Sequence, residues 1–266
     1  MYRWRVLAFS QHAVSERCRY KLSPRAVAVL DAARALASLT VLGYAAYSDF
    51  KTREVDDAVW VTLCVASAPF VVSKLIELEK GALIAYALSA YLAFSAGFAL
   101  SALGVWGWAD FLALACIGLI AFPSEGLLSL LPSLSVLINA LLASSVYPLL
   151  LLIENVRLLA KGERVFEGVE ANALVRVLAL FTLRNVPAQE YLRKRGVYSL
   201  AERVEGGKRR LVLKVGVKDE APAAPPPSAR VWVSPHVPFV AMLALGYALH
   251  VTVGCVLDRL LALFVL

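Results

Sequence analysis

Apolar residues in this chain are gathered into runs too long for the core of a soluble domain. The runs lie near 26 to 47, 58 to 73, 82 to 105, 109 to 122, 134 to 153 and 236 to 257. A tilted helix that crosses a bilayer needs about 17 to 25 such residues. Hydrophobic residues make up 60% of the 266, against roughly 45 to 50% in ordinary globular domains. The pattern predicts an all-α polytopic membrane protein of about six transmembrane helices, with the lipid bilayer as its first partner.

The only long polar stretch runs from 155 to 232, where 15 Lys and Arg face 8 Asp and Glu. Basic segments stay in the cytoplasm by the positive-inside tendency, so this stretch reads as a cytoplasmic insert before the last helix. Its basic residues are not interleaved with an aromatic platform, which argues against a nucleic-acid partner. Residues 171 to 182 read as an amphipathic helix and 187 to 195 as a short second one. Val197 to Val204 and Lys208 to Val217 alternate around Glu205-Gly206-Gly207, the signature of a hairpin. Residues 221 to 227, rich in Pro and Ala, form a stiff linker, and 229 to 233 read as a strand. The insert is therefore a small α+β unit.

The expected organisation is a basic extension over 1–25, a membrane domain of five spans over 26–154, the insert over 155–233 and a last span over 234–266. The extension lacks the continuous apolar core of a cleavable signal peptide. With the insert inside and six spans, it falls on the outer side, either as a surface amphipathic helix or ahead of a start codon further downstream. The cysteines Cys18, Cys64, Cys116 and Cys255 show no CxxC and no histidine at ligand spacing, so neither a metal site nor a cofactor is expected.

Carboxylates at the edges of apolar spans are costly and mark function more often than decoration. Two stand out. Asp49 ends span one in Tyr47-Ser48-Asp49-Phe50-Lys51-Thr52-Arg53-Glu54-Val55-Asp56-Asp57. Asp110 opens span four in Gly107-Trp108-Ala109-Asp110. Span four holds only about 13 residues before Pro123, about 20 Å at a rise of 1.5 Å per residue. That is short of a hydrocarbon core of about 30 Å, which places Asp110 below headgroup level. With span one running inward, both aspartates reach the cytoplasmic side. A structural reading competes for each. Asp110 is a favoured residue for a helix N-terminus, and Glu54, Asp56 and Asp57 read as a solvated loop. Lys51 and Arg53 read as positive-inside anchors, and His250 as a packed polar residue.

Three stretches together carry a resemblance: the Asp49 loop, the Gly107 to Asp110 motif as a GxAD form of GxGD, and Val231 to Phe239 ahead of the last span. The chain resembles the archaeal prepilin and preflagellin peptidases, membrane aspartyl proteases of the type IV leader peptidase family, over most of 30 to 257. The resemblance implies Asp49 and Asp110 as the catalytic pair, with Gly107 and Ala109 as close-packing supports of the site. It implies leader cleavage of type IV pilin-like or archaellin precursors at the cytoplasmic face of the cell membrane. Trp108, where relatives commonly have a small residue, and Leu112, where many have lysine, depart from the pattern. The paired-cysteine zinc domain of larger bacterial relatives is missing, and with it the expectation of methyl transfer. Glu54, Asp56 and Asp57 are candidates to contact a basic leader. The alternatives are a presenilin-like intramembrane protease, whose Tyr-Asp motif would lie in mid-span, and a non-enzymatic transporter or assembly scaffold.

Overall fold

A computed structural model of the chain describes residues 23–194, 196–205, 208–213 and 230–265. Residues 1–22 of the expected basic extension and the linker 221–227 lie outside the described residues.

Ser23 caps the first helix by accepting from the Ala26 amide at 3.2 Å, with a proline at its first turn. That helix, α1 (Pro24–Thr52), is followed by α2 (Asp57–Glu77), α3 (Lys80–Ala102), α4 (Trp108–Ile120), α5 (Pro132–Ser144) and α6 (Val146–Ala160). After the insert come α9 (Phe239–Val253) and α10 (Val256–Val265). Four helical stretches are long and apolar enough to cross a membrane among the described residues: Arg25–Thr52, Asp57–Glu77, Lys80–Ala102 and Pro132–Ala160. A fifth arises if α9 and α10, bent by 51° at their junction, count as one span. Six were expected, and α4 accounts for the difference. At 13 residues, ending before Pro123, it is too short to be counted as a span by its own length.

The helices pack around α9, which lies against α1, α4 and α5. Small residues allow the close approaches that helix packing in a bilayer requires. A Cβ on Gly246 of α9 would meet the backbone of α5 at Val136 and Ala140, the latter at 2.9 Å. Gly118 of α4 likewise faces Ala90 and Ala93 of α3 at 3.4 Å. The buried core includes Leu42, Leu63, Leu114, Ile117, Leu243 and Tyr247. Lipid-facing positions such as Leu36, Val65, Ile84 and Leu149 are exposed.

Several polar groups inside the bundle are partnered across helices. His250 lies between the Ser135 hydroxyl at 2.9 Å and the Phe122 carbonyl at 3.0 Å. Asp31 pairs with Arg34 at 3.4 Å and with Lys74 of α2 at 2.6 Å. Asn139 of α5 donates to the Gly254 carbonyl at 3.0 Å and accepts from the Val256 amide at 2.9 Å, which holds the α9–α10 bend. The Asp258 carboxylate accepts from the Leu128 and Ser129 amides and from the Ser129 hydroxyl, fixing α10 to the loop after α4. The thiols of Cys64 and Cys116 face each other at 3.6 Å between α2 and α4.

Between α6 and α9 the chain forms β1 (Val169–Glu170), α7 (Ala173–Thr182), β2 (Arg184–Pro187), α8 (Ala188–Arg193), β3 (Tyr198–Leu200), β4 (Glu202–Glu205), β5 (Lys208–Leu211) and β6 (Arg230–Pro235). The sheets are β1-β5-β4, with β1 parallel to β5, and the antiparallel β2-β6-β3. The hairpin expected around Glu205 is present, with Glu205 opposite Lys208. The single strand expected over 197 to 204 is instead two, because the chain leaves β6 after Leu200 and joins β5 from Glu202. Glu202 holds the two sheets together: buried, it accepts from the Trp232 amide at 2.7 Å and pairs with Arg209 at 2.6 Å.

Candidate active site

Helix α9 lacks a side-chain cap of its own. Prolines at 235 and 238 start α9 after β6, and the N-cap, Pro238, offers no side-chain acceptor. The first amides of a helix need partners, and here an aspartate from the other end of the chain supplies one. Asp49, in the last turn of α1 and buried, accepts from the Ala241 amide at 3.1 Å. An anion near the C-terminus of its own helix opposes that helix dipole. At the N-terminus of α9 the dipole favours it.

Asp110 is placed by a different device. The chain turns between α3 and α4 through Gly104, whose φ of 71° suits glycine. The Ser101 hydroxyl then donates to the Gly107 carbonyl at 3.2 Å. Gly107 is the N-cap of α4, and its amide donates to the Asp110 carboxylate at 3.1 Å. A Cβ on Gly107 would lie 3.2 Å from Oδ2 of Asp110, so glycine leaves the carboxylate its place. Ala109 is half-buried and packs on the core formed by α1, α4 and α9. Trp108 is exposed and lies against Phe111, ring centroids 5.0 Å apart. Phe111 in turn fills the space beside Gly97, 3.1 Å from where its Cβ would be.

The two aspartates are brought together by the turn before α4. Trp106 packs on Phe239, the first residue of α9, with ring centroids 5.0 Å apart. This sets the start of α4 beside the start of α9, and the charge of Asp49 acts on Asp110. Each carboxylate therefore sits over a helix N-terminus, Asp110 on α4 and Asp49 on α9.

Residues 36–153 match the type IV leader peptidase family. No curated protein matches the chain. The matched segment holds Asp49, Gly107, Ala109 and Asp110, and it ends inside α6. The match is consistent with a prepilin or preflagellin peptidase. It supports a peptidase of prepilin type, and the several long apolar helices are those of a multi-pass membrane protein.

The other candidates fall in distinct places. Glu54 and Asp56 are exposed in the α1–α2 loop, and Asp57 is exposed as the first residue of α2. The Asp56 carboxylate caps α2 by accepting from the Ala58 amide at 2.8 Å. Lys51 is exposed and lies over the Tyr47 ring at 5.6 Å. Arg53, read from sequence as an anchor, is half-buried. It takes the left-handed conformation at φ 62°, and Nε and Nη1 of its guanidinium are buried without a hydrogen-bond partner. Its charge acts on Asp49 and on Tyr147 of α6. The two site features that sequence reasoning missed are this cation and the amide end of α9. For the second, the prolines at 235 and 238 were the available signal, since they mark a helix start with no side-chain cap.

Proposed function

We propose that the protein is a membrane aspartyl endopeptidase that removes the basic leader of type IV pilin-like or archaellin precursors at the cytoplasmic face. Asp49 and Asp110 are the acid pair, and Gly107 and Ala109 support it. The observation that carries the reading is the convergence of these two carboxylates, from α1 and α4, within a segment that matches a leader peptidase family.

Peptide hydrolysis by such a pair needs a water made nucleophilic and a leaving amine that receives a proton. Two carboxylates sharing one proton supply both. The ionised aspartate takes a proton from the water as it adds to the scissile carbonyl. The protonated one hydrogen-bonds the carbonyl oxygen, and a proton then passes to the leaving nitrogen as the C–N bond breaks. The amide ends of α4 and α9 favour negative charge on the pair. Exposed Glu54, Asp56 and Asp57 place acidic charge beside the site, suited to a basic leader. The surplus of basic residues between 155 and 232 supports a cytoplasmic position for the insert and the adjoining pair.

A second reading has its own support. Asp49 caps α9 and Asp110 caps α4, and a scaffold would need no more from them. Asparagine separates the two readings, since it keeps the size and still accepts a hydrogen bond at a helix N-terminus. For the peptidase, Asp49→Asn and Asp110→Asn each lower single-turnover cleavage of a leader-bearing precursor by about 10³-fold or more, and the double variant is no worse than the singles. The variants should insert and melt as the parent does. Substantial cleavage by Asp110→Asn would leave that residue a cap and remove the mechanism. Cleavage should also persist in EDTA and after serine- or cysteine-directed reagents. Loss in EDTA that zinc restores would speak against an acid pair.

A further inference from the structure

Helix α7 turns its apolar side away from the domain that carries it. Leu174, Val177, Leu178 and Phe181 follow the i, i+3, i+4, i+7 spacing of one helix face. The first three are 67%, 53% and 40% exposed. The opposite side is the one that meets the insert, with Ala179 buried and Arg176 over the Phe166 ring at 5.5 Å. A helix of a water-soluble unit would be rotated by about half a turn from this, because burial of such a face is what holds amphipathic helices in place.

The level of α7 relative to the membrane is fixed by a buried amide. Asn155 of α6, fully buried, donates from its side chain to the carbonyls of Leu180 at 3.0 Å and Leu183 at 2.7 Å. Asn155 belongs to the apolar stretch Pro132–Ala160 and precedes its end by five residues, about 8 Å along the helix axis. The C-terminal turn of α7 is thus held level with the last turns of a spanning helix, where Ile153, Val156 and Leu159 are themselves exposed. At ten residues, α7 is about 15 Å long and too short to cross the bilayer.

We propose that α7 lies in the plane of the membrane interface, with Leu174, Val177, Leu178 and Phe181 among the acyl chains, and so fastens the insert to the bilayer beside α6. Length, exposed apolar face and depth all agree with an interfacial helix, and the lipid that covers α6 at that level covers α7 as well. The inference is independent of the proteolytic reading.

A nitroxide carried by a genetically encoded azide-bearing residue, which leaves the native cysteines alone, tests it. The label is placed at 174, 177, 176 or 163 of the full chain in phosphatidylcholine nanodiscs. Collision rates are compared for oxygen, which concentrates in acyl chains, and for a water-soluble nickel chelate. The expected result is an oxygen-to-nickel ratio several-fold higher at 174 and 177 than at 176 and 163. Equal ratios at all four sites would put the face in water and overturn the proposal. Low collision with both reagents at 174 and 177, accompanied by spin–spin broadening, would put a second copy of the chain there and overturn it equally.

Discussion

Gly107 is the residue on which the position of Asp110 most depends. Its φ of −70° is open to any residue, so the requirement for glycine comes from the neighbouring carboxylate, 3.2 Å from a would-be Cβ. Gly107→Ala is therefore expected to push Asp110 aside without disturbing the backbone. Precursor cleavage should fall about 10- to 100-fold, the scale of a small misplacement of a reacting group, while thermal unfolding in detergent stays within a few degrees of the parent. A large loss of stability with activity per folded molecule unchanged would show that Gly107 serves packing alone. Arg53 illustrates what a linear reading of charge leaves out. Lys51 and Arg53 look alike in sequence, yet the left-handed turn at Arg53 swings its guanidinium inward while Lys51 remains on the surface.

Among the elements, the α5–α9 contact is the closest, and it rests on Gly246. In Gly246→Val the new side chain would meet the α5 backbone at Val136 and Ala140, and the helices would have to separate. A cost of about 1 to 3 kcal/mol is expected from such overpacking. Gly43→Val in α1, with nothing within 4 Å of its Cβ position, is the control and should melt near the parent. Asn139→Leu, which removes the two hydrogen bonds that hold the α9–α10 bend and a third to the Gly246 carbonyl, should cost about 1 to 2 kcal/mol in the same assay. If Asn139→Leu melts with the parent, the bend is held by other contacts. Local elements were legible in the sequence because their signals are local. The amphipathic period of α7, the glycines of the β4–β5 hairpin and the shortness of α4 before Pro123 can each be read within a dozen residues. The parallel pairing of β1 with β5 and the transfer of the chain from one sheet to the other at Ala201 have no such signal. They depend on Glu202 and Trp232 meeting from distant positions.

At the scale of the molecule, the reading requires Asp49, Asp110 and the insert to share one side of the membrane. Thr52→Cys, Trp108→Cys and Glu163→Cys, each exposed in the parent, should all react with an impermeant maleimide in inverted vesicles and be protected in intact cells. Reaction of positions 52 and 108 from opposite faces would separate the acid pair. Asp49 and Asp110 stand out in the sequence as charges at the edges of apolar runs. The partner of Asp49 does not, since Ala241 contributes only a backbone amide and stands 192 residues away. That long connection bears on how the protein is made. During synthesis both aspartates enter the membrane long before α9 leaves the ribosome, and until then Asp49 lacks the amide that holds it. Assembly of α9 is therefore the step that gives Asp49 its amide partner, and a chain stalled in the insert would carry both acids without their final arrangement.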